Sequence, residues 1–150
     1  MPSDPIYLSA WKQIASLIGA DFTSGYSGLD LTGRVRRGSV ASAPMVPSAS
    51  IFMFDIKEDF GQVLTRYQAE ITFEIYAFCG GTDIETRADA SSRLGADMIN
   101  ALTSDRTLGL TTIDDVLCNF IAMDGDSYGV AGVGIAYIEV KVKYQSDRGV

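Results

Sequence analysis

Among the side chains that could do chemistry in this chain, the most telling is one that is missing: there is no histidine. Its absence removes the commonest general base, the usual activator of a nucleophile and the commonest transition-metal ligand. Carboxylate or lysine chemistry stays open. Asp124-Gly125-Asp126 sets two carboxylates close together, as at the start of a calcium loop, but the later ligands of such a loop, above all its closing Glu, are missing. Asp and Gly are also what a hairpin turn needs, and a turn is the preferred reading. Asp114-Asp115 stands before a strand, where neighbouring side chains point to opposite faces and do not converge. Arg34, Arg36 and Arg37 could touch phosphate, yet three cations in a chain of net charge −7 give a weak, salt-labile hold. An inter-subunit ion pair is the better use for them.

The two cysteines, Cys79 and Cys118, fall within apolar alternating runs and read as reduced, buried thiols. No phosphate-binding loop, dinucleotide glycine fingerprint, paired CxxC, zinc-protease helix or serine elbow occurs. The residues thus name no catalytic, metal-binding or cofactor-binding position, no cofactor is expected, and the chain does not read as an enzyme.

A chain of 150 residues suits one domain, large enough to bury roughly 68 to 70% of the surface its unfolded form exposes. With 47% hydrophobic and 21% charged residues it lies far from a disordered composition. The acidic balance argues against a broad grip on nucleic acid and suits a surface that DNA passes without sticking. No run approaches the roughly 20 apolar residues that span a bilayer. The start, Met1-Pro2-Ser3-Asp4, lacks the basic and apolar regions of a signal peptide, so assembly in a cytoplasm is expected.

The elements that must position these groups follow from periodicity. Asp4 as N-cap and Pro5 precede Ile6, Ala10, Ile14, Leu17 and Ile18 at helical spacing, with the helix ending near Gly19; Tyr7 and Trp11 widen its apolar stripe. From about 24 to 48 the chain is rich in Gly, Ser and Pro and reads as a long loop or arm, either mobile or ordered against a neighbour. Ser50 to Ile56 alternates, with Ser50, Phe52, Phe54 and Ile56 on one side, before a turn at Lys57-Glu58-Asp59-Phe60-Gly61. Tyr67 to Cys79 sets Ala69, Ile71, Phe73, Ile75, Ala77 and Cys79 against Gln68, Glu70, Thr72, Glu74, Tyr76 and Phe78.

Thr82-Asp83-Ile84-Glu85 has capping-box spacing, and Ile84, Ala88, Ser91, Leu94, Gly95, Met98 and Leu102 form the inward stripe of the helix it opens. Glu85, Asp89, Arg93 and Asp97 read as its solvated face. Val116 to Met123 and Gly134 to Tyr144 make two further strands. The expected fold is α+β: an antiparallel or mixed sheet of about four strands, two helices on one face and the long arm.

The order and lengths of these signals resemble the tail terminator proteins of tailed bacteriophages, also called tail completion or neck proteins. The resemblance rests on the proline-containing lead into the first strand (Pro47 to Ile56), the Tyr67-to-Cys79 strand and the helix Ala88 to Leu102. It extends to the Asp105-Arg106-Thr107-Leu108-Gly109 step and the closing Ile135 to Tyr144 strand, covering about two-thirds of the chain. It carries no catalytic signature. What it implies is a virion protein that forms a ring, expected to be a hexamer, and docks on the end of the tail tube. Such a ring halts tube polymerisation and meets the head connector or stopper protein, and the sheath protein where the tail is contractile. DNA passes through the lumen without specific binding, and no membrane is involved.

Tyr67 to Cys79, roughly 40 Å long when extended, is expected to project in part beyond its own sheet, where a neighbouring subunit can cover it. Arg34, Arg36, Arg37, Tyr76, Phe78 and Tyr137 are the candidate contacts with a subunit or partner. Other readings stay open: a head completion protein, an adaptor, a tube subunit, a small ligand- or metal-binding domain using Asp124 and Asp126, or a DNA-binding module using the three arginines.

Overall fold

The computed structural model describes residues 4–38, 46–63, 66–128 and 131–146. Helix α1 spans Ile6–Ile18 and buries Ala10, Ile14 and Ile18 at four-residue intervals. Pro5, fixed at a compatible φ and lacking an N–H, begins the helix without a side-chain cap. Asp4 does not cap; its carboxylate pairs instead with Lys12, eight residues on, at 2.8 Å. The Trp11 indole N–H donates to the Ile51 carbonyl at 3.2 Å, which turns the wide apolar stripe inward.

Five strands form a mixed sheet: β1 Val35–Arg37, β2 Ser48–Val63, β3 Arg66–Gly80, β4 Ile113–Asp124 and β5 Val133–Ser146. Their spatial order is β1-β2-β3-β5-β4, with β1 parallel to β2 and every other pairing antiparallel. The chain is therefore α+β as expected, with one strand more. The extra strand, β1, lies in the segment read as an arm; three residues, two of them arginine, are too few to show a period. Residues 39–45 of that arm lie outside the described residues.

Lys57-Glu58-Asp59, expected in a turn, continue the β2 ladder opposite Glu70, Ala69 and Gln68. An irregularity between Met53 and Asp55 shifts the phase of β2 by one residue. Ile56 thus joins Ile51 and Met53 on the helix-covered face, opposite Ile71, and leaves Phe52 and Ser50 on the other. Strand β3 does not project beyond its sheet. From Tyr67 to Gly80 each of its residues has a partner on β5, so the length is taken up inside a long three-stranded ladder.

Helix α2, Ile84–Thr103, packs on β3, β5 and β4, while α1 lies over the β1–β2 side. Its N-cap is Asp83, whose carboxylate accepts from the Thr86 N–H at 2.7 Å, one residue later than the expected box. Ser91, Leu94, Gly95, Met98 and Leu102 are buried as the period requires, whereas Ile84 and Ala88 are exposed and Arg87 takes the inward place in the first turn. A Cβ on Gly95 would run into the Phe120 ring, so glycine is what lets the helix seat on β4.

Two charged residues of α2 are buried rather than solvated. Arg87 pairs with Asp124 at 2.8 Å and with Asp126 at 3.7 Å. Asp97, expected on the wet face, accepts from the backbone N–H groups of Tyr26 and Ser27 at 2.9 and 2.8 Å, and so holds the loop before β1 against the helix. Burial opposes its ionisation, but the hydrogen bonds from Ser27 and Tyr26 outweigh that and keep its carboxyl below the ordinary range. Both thiols are free, and burial pushes each up to about 11. Cys79 stands opposite Gly134 and Cys118 opposite Val140, six positions apart along β5. At about 3.4 Å per residue that is roughly 20 Å, too far for a disulfide.

Candidate interface on the open face of the sheet

Alternation sends every second residue of β3 and β5 away from the helices, and the register decides which of them meet. Arg36, Ser50, Tyr76, Tyr137 and Ile121 fall in one cross-strand row over all five strands. Three of the expected contact residues, Arg36, Tyr76 and Tyr137, thus share a face although 101 positions separate the first from the last.

The tyrosine rings lie 5.2 Å apart between centroids, inclined at 58°. Both hydroxyls donate to the same oxygen, Glu74 Oε2, at 3.1 Å from Tyr76 and 2.7 Å from Tyr137. Phe52 meets the Tyr76 ring edge-on at 5.8 Å. Burial, and then the bond to Glu74, hold the Tyr137 hydroxyl in its protonated form far above the ordinary tyrosine range, so it serves as a donor and not as a base.

Beyond the tyrosines, Phe78, Val133 and Ile135 make a second apolar cluster with Tyr76 and Met123 against it. Phe78, named above as a contact residue, is only 3% exposed and is packed within this cluster. In the other direction the face turns polar. Glu74 stands opposite Glu139, which Asn119 reaches at 3.4 Å and Lys141 at 3.8 Å. Like charges directly opposed destabilise a ladder, and these donors offset that cost.

The remaining arginines separate. Arg34 donates to the carbonyls of Val46 and Pro47 at 3.2 and 3.4 Å. Arg37 points to the helix side, its guanidinium 5.5 Å from the centroid of the Trp11 ring. Only Arg36 adds its charge to the open face, so the three do not form a single phosphate-binding patch.

The candidate carboxylates are engaged elsewhere. Asp124, at the end of β4, and Asp126, on the short 3-10 helix Gly125–Tyr128 that follows it, anchor Arg87. The Arg87 hydrogen bond holds the Asp124 carboxyl below its usual range. Asp115 takes a two-pronged bond from Arg106 at 2.6 and 2.9 Å, and an open cleft of about 400 Å³ beside it is lined by Glu70, Asp114 and Lys143. Among the described residues no group of three metal-ligating side chains converges.

Periodicity gave the orientation of Tyr76 and Tyr137 but missed Glu74, Phe52 and Ile121 as their neighbours. Ile121 is 55% exposed but stands in the all-apolar run Phe120-Ile121-Ala122-Met123, where alternation gives no sign of its outward face. A scan against protein-family models finds no match, and a search of curated proteins finds none.

Proposed function

We propose that this chain is a structural subunit of the phage neck, of the tail-terminator type. It assembles into a ring that caps the tail tube, ends its polymerisation and presents a joining surface to the head connector. The resemblance in element order and length suggests the family. The observation that carries the assembly role is the face turned away from the helices, where a half-buried aromatic patch built from Phe52, Tyr76 and Tyr137 continues into exposed Ile121 at the sheet's edge. Aromatic residues set in an apolar patch with a polar border are what protein interfaces favour.

The experiment is light scattering on the purified chain, electron microscopy of what it forms, and incubation with polymerising tail tubes. Closed rings that bind tube ends and stop their growth are expected. A monomer at high concentration that leaves tube growth unchanged would remove the reading, and unlimited self-polymerisation into tubes would replace it with a tube subunit.

A further inference from the structure

The chain contains one Asp-Gly pair, Asp124-Gly125, and no Asn-Gly pair. Glycine after aspartate leaves the backbone open to attack on its own side chain, because no Cβ hinders the approach of the glycine nitrogen. In that reaction the Gly125 nitrogen adds to Asp124 Cγ and a C–N bond forms, while the amide proton and the carboxyl hydroxyl leave together as water. Water then reopens the cyclic imide at either carbonyl. One opening restores aspartate; the other carries the main chain through the side-chain carbon and gives isoaspartate, with no net change in mass. The sequence of steps consumes no oxidant and needs no second reactant beyond water.

In the fold, this carboxyl is held by both oxygens. Oδ1 accepts from Arg87 Nε at 2.8 Å, and Oδ2 accepts from the Asp126 N–H at 3.3 Å. Arg87 is itself boxed in. Its guanidinium also reaches Asp126 at 3.7 Å and donates to the Gly81 carbonyl at 3.5 Å. A Cβ on Gly81 would run into the Arg87 side chain, and one on Gly134 into the Arg87 carbonyl oxygen, so the first turn of α2 has no slack here. Gly125 is buried. The Arg87 hydrogen bond also holds the Asp124 carboxyl below its usual range, and an ionised carboxylate is a poor target, since its oxygen leaves as water only after protonation.

We propose that Asp124-Gly125 is the bond at which this chain forms isoaspartate, and that Arg87 is the latch that keeps it closed in the folded state. Attack requires the side chain to swing off Arg87, so the rate follows the population in which the end of β4 has opened. The product does not reseat. Its main chain gains a methylene between β4 and the 3-10 helix, and the remaining carboxylate, now attached directly to the backbone, is out of step with Arg87. A brief opening is thereby recorded permanently, and the first turn of α2 loses its anchor. The latch is independent of the proposed ring.

The test follows isoaspartate at Asp124 by peptide mapping and isoaspartyl-methyltransferase labelling during storage of the full chain at neutral pH. Unfolded in urea, the native chain is expected to accumulate it as fast as a free peptide spanning 121–128, and the folded chain about tenfold or more slowly. Arg87→Lys keeps the charge but loses the Nε bond. Folded by circular dichroism, it is expected to react about threefold or more faster than the native chain. Asp126→Ala, which frees the other side of the guanidinium, takes its place if it does not fold. Gly125→Ala in urea is expected to slow the reaction sharply. Equal rates in the folded and unfolded native chain would remove the latch, as would a folded Arg87 or Asp126 variant no faster than native. Isoaspartate that gathers at Asp126 or elsewhere in urea while Asp124 stays intact would remove the site.

Discussion

Arg87 Nε donates to Asp124 Oδ1 at 2.8 Å, joining the first turn of α2 to the end of β4 across 37 positions of sequence. The guanidinium is 9% exposed and its partner 19%, so the pair is largely out of water. Breaking such a pair from one side leaves an uncompensated charge. Arg87→Met is expected to lower the urea midpoint, and Asp124→Asn to lower it less, because Asp126 remains at 3.7 Å. A double-mutant cycle with strictly additive losses would show that the pair contributes nothing.

Gly95 faces the Phe120 ring at a distance no Cβ tolerates. Alanine in a helix is worth about 1 kcal/mol over glycine, yet overpacking costs about 1 to 3 kcal/mol. Gly95→Ala is expected to destabilise by about 1 kcal/mol, and Gly95→Ala with Phe120→Leu to recover most of it. A stabilised single variant would mean that the ring swings aside freely.

Asp97 links stability to acid. Its carboxyl is held below the ordinary value in the folded chain, while the unfolded chain takes up the proton near pH 3.9. Its contribution is therefore complete above that pH and is lost as the pH falls through the folded value. Asp97→Asn is expected to cost about 1.5 to 3 kcal/mol at neutral pH, to flatten the acid limb and to speed amide exchange at Tyr26 and Ser27. Unchanged exchange at those two amides would refute the link.

The thiols act at the opposite end of the scale. Cys79 and Cys118 are raised from 9.0 to about 11, so the folded state holds protons that the unfolded state releases. Stability from this source is complete below pH 9 and falls as the pH rises through 11. Replacing both cysteines with alanine is expected to reduce the slope of stability against pH in that window. An identical slope would place the alkaline sensitivity elsewhere.

What was legible in the sequence is what a period can carry. The face of β3, the buried stripe of α2 from Ser91 to Leu102 and the opposition of inside and outside on β5 follow from alternation and helical spacing. What was not legible depends on partners distant in sequence. Asp97 sits at solvent spacing and is buried only because the loop at Tyr26 and Ser27 arrives from elsewhere. Ile56 changes faces because of one irregular residue, and β1 exists because β2 offers it an edge. The shared carboxylate of Tyr76 and Tyr137 needed the register between β3 and β5, which no local pattern encodes.

The strand order also sets a timetable. Strand β5 lies between β3 and β4 yet follows both in the chain. While a nascent chain lacks it, β3 has a vacant flank and β4, among the described strands, has none to pair with. Such non-local pairing is slow to form, so the residues from Val133 onward act as the closing wedge. Until they insert, Tyr137 is not beside Tyr76, the five-strand row is broken and β4 cannot be presented as a rigid edge. A chain that is incomplete or only partly folded therefore presents neither the joined tyrosine row nor a fixed β4 edge, so that surface exists only once the last strand is in place.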